Sequence, residues 1–138
     1  MKIIGGIGSS GLGFVSAVLV TPLLKINAPI RFYVDTGACR TVISDSDAQR
    51  LGIDIKKLKK YPNSVQGVGG TVESYNLPES MLVFRFSDCM HIEYLDNAMV
   101  LGSPKRSLDK FVTPNLLGID ILKNYSVHFT NQKVILEK

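Results

Sequence analysis

Short apolar, β-branched segments recur along this chain, and breaks rich in Pro, Gly and Asn interrupt them before a helical stripe can develop. "FVSAVLV" (14–20), "LLKI" (23–26), "IRFYV" (30–34), "RTVIS" (40–44), "SMLVFRF" (80–86) and "HIEYLDNAMVL" (91–101) all read as strands. Pro22 and Pro29 follow the first two within a few positions. "SVQGVGGTVESY" (64–75) reads as two strands around a glycine-rich tip, and "SVHFTNQKVILEK" (126–138) as a closing hairpin about Asn131 and Gln132. Helix is confined to two short pieces. One is capped by a Ser or Asp within 44–47, faces Leu51 inward and stops at Gly52; the other lies behind Asp120, which can cap it. "GSPKRSLDKFVTPN" (102–115) reads as a polar loop. The pattern predicts one all-β domain with one or two short helices. At 138 residues and 45% hydrophobic composition, the chain can bury a core of its own.

Charge narrows the partners. The net charge is +4, and much of it sits in "KKLKK" (56–60), which reads as a solvated loop or helix end rather than a nucleic-acid surface. Cys39 and Cys89 form no C-x-x-C pair and have no His at ligand spacing, so neither a disulfide framework nor a zinc site is expected. Two free thiols point to a reducing, cytoplasmic setting, with Cys39 read as a buried thiol. His91 and His128 stand alone, so no metal is expected, and His128 reads as an exposed strand histidine. The uncharged run from Ile3 to Leu24 follows Lys2 and loosely mimics a signal peptide. Gly5, Gly6, Gly8, Gly11 and Gly13 break any apolar helix there, so the segment is assigned to the folded domain with no membrane partner expected, and a membrane or secretory role is the minor alternative.

The same glycines spell Gly6-x-Gly8-x-x-Gly11 after a short apolar strand, with Asp35 closing a later strand. That pattern approaches a dinucleotide-binding fingerprint. The fingerprint needs a helix behind the glycines to hold a pyrophosphate, and here "FVSAVLVTP" follows, β-branched and ended by Pro22. Nucleotide binding is therefore a remote alternative.

Asp35 is the residue with the most to explain. It ends the apolar run "RFYV" and is followed by the small residues Thr36, Gly37 and Ala38. An Asp before Gly is often a turn residue whose carboxylate caps backbone N–H groups. The same small-residue turn also leaves a carboxylate open to a second one. Two carboxyl groups about 3 Å apart cannot both ionise, so they share a proton and supply a base and an acid together.

Three stretches carry a resemblance to a known family. "Asp35-Thr36-Gly37-Ala38" between "FYV" and "TVIS", "Gly67-Val68-Gly69-Gly70", and "Leu116-Leu117-Gly118-Ile119-Asp120-Ile121-Leu122" occur in order before the closing hairpin. The chain thus resembles the retropepsin-like aspartic peptidases over about 23–137, with 1–22 a glycine-rich start and strand. The resemblance implies a single-domain, closed acid-protease barrel and a homodimer in which two copies of Asp35 meet across a twofold axis. It implies an aspartic endopeptidase acting on peptide or protein substrates, without cofactor or metal. Asp35 would be the catalytic carboxylate, and the Thr36 hydroxyl would brace the two catalytic loops. Gly37 would allow close approach and Ala38 would line the cleft. Leu117 and Gly118 would thread behind the loop as active-site support. Gly67, Gly69 and Gly70 would let a flap bend, with Val68 touching substrate at its tip. Viral members commonly pair an Asp after the signature with an Arg after the later Gly. Here Cys39 and Ile119 stand at those places, a pattern nearer the cellular and microbial branch. A catalytically inactive binding or scaffold module is the alternative within the same fold.

Overall fold

The computed structural model describes residues 1–62, 64–67, 70–86, 88–103 and 114–138. Val68 and Gly69, and 104–113 of the expected polar loop, lie outside the described residues. β2 (Gly13–Thr21) shows why the chain goes to sheet. Val15, Ala17 and Leu19 are buried, while the residues between them face outward, the period-2 signature of a half-buried strand. β3 (Ile26–Val34) pairs antiparallel with β2 along its length, from Phe14 opposite Tyr33 to Thr21 opposite Ile26. Pro29 is tolerated in β3 because the strand's other edge takes a partner only at Tyr33 and Val34.

"LLKI" is not a strand. Pro22–Leu24 form a 3-10 turn, Lys25 adopts φ 54°, and its N–H donates to Pro22 O at 3.0 Å. Pro22 fixes a turn-compatible φ and lacks an N–H, so the chain reverses here and begins β3 at Ile26. The N-terminal glycines also find their use. β1 (Lys2–Ile7) meets β2 at Gly6–Phe14 and Ile7–Gly13, through a turn in which Gly8 N–H donates to Leu12 O at 2.8 Å. Gly11 turns this corner with φ +81°. The glycines of the nucleotide-like pattern therefore join two antiparallel strands, with no helix behind them to hold a phosphate.

The remaining strands are short. They are β4 (Val42–Ile43), β5 (Val65–Gly67), β6 (Gly70–Val72), β7 (Ser74–Asn76), β8 (Ser80–Arg85), β9 (Met90–Leu95), β10 (Met99–Leu101), β11 (Leu116–Leu117), β12 (Ser126–Phe129) and β13 (Lys133–Glu137). The segment 91–101 is two strands rather than one. Among the described residues β9 pairs only with β8, whereas β10 joins β4 in parallel and β7 antiparallel, and the Asp96–Asn97 bend redirects the chain between them. Two helices occur among the described residues. α1 (Asp45–Arg50) starts at Ser44, whose Oγ accepts from Asp47 N–H at 3.2 Å, and α2 spans Ile119–Leu122. The expected Ser cap and the stop near Gly52 (φ +73°) both hold; Ala48 is the buried residue of the helix, and Leu51, at its C-cap, packs against the core as expected.

The main sheet runs β12-β13-β1-β2-β3-β11-β4-β10-β7, with β8 and β9 branching from β2. β1 and β8 share one edge of β2, at Gly13–Phe14 and Val18–Val20, so the sheet forks near Ser16. The all-β class is as expected, but the path does not return on itself and the barrel is not strictly closed. A single cluster fills the interior, including Val15, Leu19, Phe32, Leu82, Phe84, Val100, Leu117 and Leu136. No helix among the described residues is long and apolar enough to cross a membrane.

Candidate active site

Asp35 is the first residue beyond β3, and the sheet fixes where it starts. β11 lies between two strands, parallel to β3 (Leu116–Tyr33, Leu117–Val34) and antiparallel to β4 (Leu116–Val42). The Asp35 N–H donates to Leu117 O at 3.1 Å, extending the parallel ladder by one bond. Beyond it the chain leaves the sheet. Gly37 N–H donates to Asp35 Oδ1 at 2.9 Å and Ala38 N–H to Asp35 O at 3.2 Å, a tight turn that aims the half-buried carboxylate. Among the described residues the carboxylate has this one hydrogen-bond donor. Thr36 and Gly37 are exposed and Ala38 is half-buried.

Gly118 is required by packing. A Cβ there would lie 2.4 Å from Arg40 C, 2.5 Å from Arg40 O and 2.8 Å from Ala38 O. All three atoms belong to the backbone of the Asp35 loop, which therefore rests directly on the residue after β11. Ile119 N–H closes the contact by donating to Ala38 O at 2.8 Å.

Two polar clusters flank β11, and sequence reading identified neither. Before it, the buried Asn115 receives Ser44 N–H on Oδ1 at 2.8 Å, while its Nδ2 donates to Arg31 O at 2.9 Å and to the Asp47 carboxylate. Burial raises the Asp47 pKa, but donors from Arg50 and Asn115 outweigh it and hold the group below the usual value. After β11, the Asp120 carboxylate accepts Thr41 N–H at 3.0 Å and Thr41 Oγ–H at 2.8 Å. Asp120 was expected as a helix cap. Instead Gly118 holds the cap position and Asp120 sits in the first turn of α2, bound to the far end of the Asp35 loop. Only the side-chain chemistry of 41, 115 and 120, all polar and all beside apolar strands, hinted at this.

Asp35, Thr36, Gly37, Ala38, Leu117 and Gly118 are thus brought together. Leu117 is fully buried beneath the loop. The Gly67 and Gly70 backbones pair across the β5–β6 hairpin, a sheet separate from the main one. Cys39 is exposed, not buried, because the loop turns its tip outward before Thr41 re-enters the core. His128 is exposed, as expected, with Glu137 at 3.7 Å. In the basic cluster, Lys60 pairs with Glu73 at 2.7 Å, and Lys56–Lys57 end a 3-10 turn over Ile55–Lys57.

β11, two strands before the end of the chain, threads beneath the Asp-Thr-Gly loop with Gly118 directly behind it, the arrangement that the resemblance to the aspartic proteases leads one to expect. Residues 24–124 match the family described as gag-polyprotein putative aspartyl protease, and the chain belongs to that family. Its fold is similar to that of a retropepsin-like aspartic protease from Rickettsia conorii, with TM-score 0.62 and 23% identity over 99% of this chain and 98% of that one. It also aligns with the EIAV protease complexed with the inhibitor HBY-793, at TM-score 0.46 and 20% identity, covering 85% of this chain and 90% of that one. No curated protein matches it.

Proposed function

We propose that this chain is an aspartic endopeptidase whose active site is completed by a second copy of itself. The observation that carries this reading is the placement of Asp35. It is held by Leu117 O and Gly37 N–H on an exposed loop, and that loop supplies one carboxylate where the chemistry needs two. A twofold axis beside Thr36 and Gly37 brings Asp35 of one subunit against Asp35 of the other. The pair then holds one proton. The ionised carboxylate takes a proton from water as its oxygen adds to the scissile carbonyl carbon, and the protonated one gives its proton to the carbonyl oxygen. The resulting gem-diol returns a proton to the dyad as the C–N bond breaks, and the dyad protonates the leaving nitrogen. The pair ends with one proton, as it began.

Thr36 then lies at the subunit contact, Ala38 lines the cleft, and the β5–β6 hairpin closes over bound peptide as a flap. Two free thiols favour a reducing compartment as the working location. The test is cleavage of an unfolded protein by wild type and Asp35→Asn between about pH 3 and 7, where carboxyl dyads titrate. The proposal expects cleavage by wild type alone. Cleavage by both proteins, or by neither, removes the assignment.

A further inference from the structure

Gly118 N–H, Thr41 Oγ and Asp120 form a continuous chain of hydrogen bonds. The Gly118 N–H can only donate, and it reaches Thr41 Oγ at 3.2 Å. The Thr41 hydroxyl in turn donates to Asp120 Oδ1 at 2.8 Å. Oδ2 takes the Thr41 N–H at 3.0 Å, and Oδ1 also accepts the Ile121 N–H at 3.1 Å. Thr41 is fully buried, so none of these groups on it can turn to water. Its carbonyl is taken as well, by Met99 N–H at 2.9 Å, which ties the same residue to β10.

The consequence reaches Asp35. The loop from Asp35 to Thr41 is fixed at its start by Leu117 O and in its middle by the Ile119 N–H on Ala38 O. Its end is fixed by Asp120. All three of these anchors belong to the single stretch 117–120, while the Met99 N–H on Thr41 O holds the loop's end to β10 as well. We infer that Asp120, through Thr41, is a positioning residue that sets the height and tilt of the Asp35 carboxylate against its counterpart. This rests on the dyad reading above, in which two carboxyl groups must share one proton at a fixed separation.

The test compares wild type, Asp120→Ala, Thr41→Val, Thr41→Ser and the Asp120→Ala/Thr41→Val double variant in the full chain. Peptide cleavage gives kcat and KM, and NMR amide exchange reads the loop itself. Misplacing a reacting group by about 1 Å costs about a hundredfold. Asp120→Ala and Thr41→Val are therefore each expected to lose roughly ten- to hundredfold in kcat, with KM within about threefold. The double variant should be no worse than the weaker single, because both cut one chain of bonds. Thr41→Ser, which keeps the hydroxyl, should restore kcat relative to Thr41→Val. Amide exchange at Asp35, Thr41 and Gly118 should accelerate in Asp120→Ala and Thr41→Val while the β2–β8 amides stay protected. Losses that multiply in the double variant, a rise in KM with kcat intact, or unchanged exchange at those three amides would overturn the inference. If Asp120→Ala does not fold, the Thr41→Ser and Thr41→Val pair decides by the same readouts. A wild type without activity sinks the dyad reading, and the exchange data still judge the anchor.

Discussion

Replacing Gly118 by Ala should damage both stability and chemistry, and the size of each effect follows from the geometry. The added Cβ would sit 2.4 Å from Arg40 C, where ordinary contacts begin at 3.4 Å, so the Asp35 loop must move by about 1 Å. The obstructing atoms are backbone, and no rotamer change relieves them. Overpacking of this kind costs about 1–3 kcal/mol. The same shift stretches Gly118 N–H to Thr41 Oγ and Ile119 N–H to Ala38 O, each worth about 1 kcal/mol. The total is about 3–5 kcal/mol, a large share of a domain's roughly 5–15 kcal/mol. Thermal unfolding should therefore fall by on the order of 10–15 °C. Activity measured well below that midpoint should fall by about a hundredfold, since the displaced loop carries Asp35. Gly52→Ala is the control, because nothing lies within 4 Å of its added Cβ and only the φ of +73° is strained, worth about 1 kcal/mol. A Gly118→Ala protein that melts within a few degrees of wild type and keeps its kcat would refute the claim that the loop rests on this residue.

Other consequences are simpler to state. Asn115→Ala removes the partners of Ser44 N–H and Arg31 O from a buried site and should cost about 2–4 kcal/mol by urea unfolding, whereas a loss under 1 kcal/mol would mean that the cluster is not holding β11. Glu93 is nearly buried; burial pushes its carboxyl up, but donors from Tyr125, His91 and Lys138 outweigh this and hold it below the ordinary value. Its stabilising contribution is thus complete above the unfolded pKa near 4.5 and disappears as pH falls through the lower folded value. Urea unfolding of Glu93→Gln should accordingly lack that acid-side loss, and parallel pH profiles for the two proteins would contradict it. Thr36→Val should raise the dimer dissociation constant about five- to thirtyfold by sedimentation, as expected for one lost interfacial hydroxyl contact of about 1–2 kcal/mol, while an unchanged constant would place Thr36 outside the interface.

Most strands and the short helix after Ser44 were legible because each depends on local pattern, whereas the threading of Leu117–Gly118 behind Asp35 was expected only from the family resemblance. Alternation in "FVSAVLV" and the Asp-Thr-Gly turn are written in adjacent residues. The anchors were not legible, for they join Thr41 to Asp120 and Ser44 to Asn115 across most of the domain, and a polar residue carries no mark of its distant partner. Asp120 looked like a cap because Asp at a helix start ordinarily is one. "LLKI" looked like a strand because its composition matches one, yet Pro22 and the left-handed Lys25 make it a turn. Cys39 was read as buried from the habits of its residue type, while loop geometry exposes it.

Mixing subunits tests the central claim most directly. Wild type held above its dimer dissociation constant is equilibrated with an equal amount of Asp35→Asn chain, and cleavage is measured per wild-type chain. If both carboxylates are required, random pairing leaves about half of the wild-type chains in mixed, inactive dimers, and activity per wild-type chain falls to about one half. Activity per wild-type chain that stays constant as Asp35→Asn is added would show that one chain carries a complete site, contrary to this account.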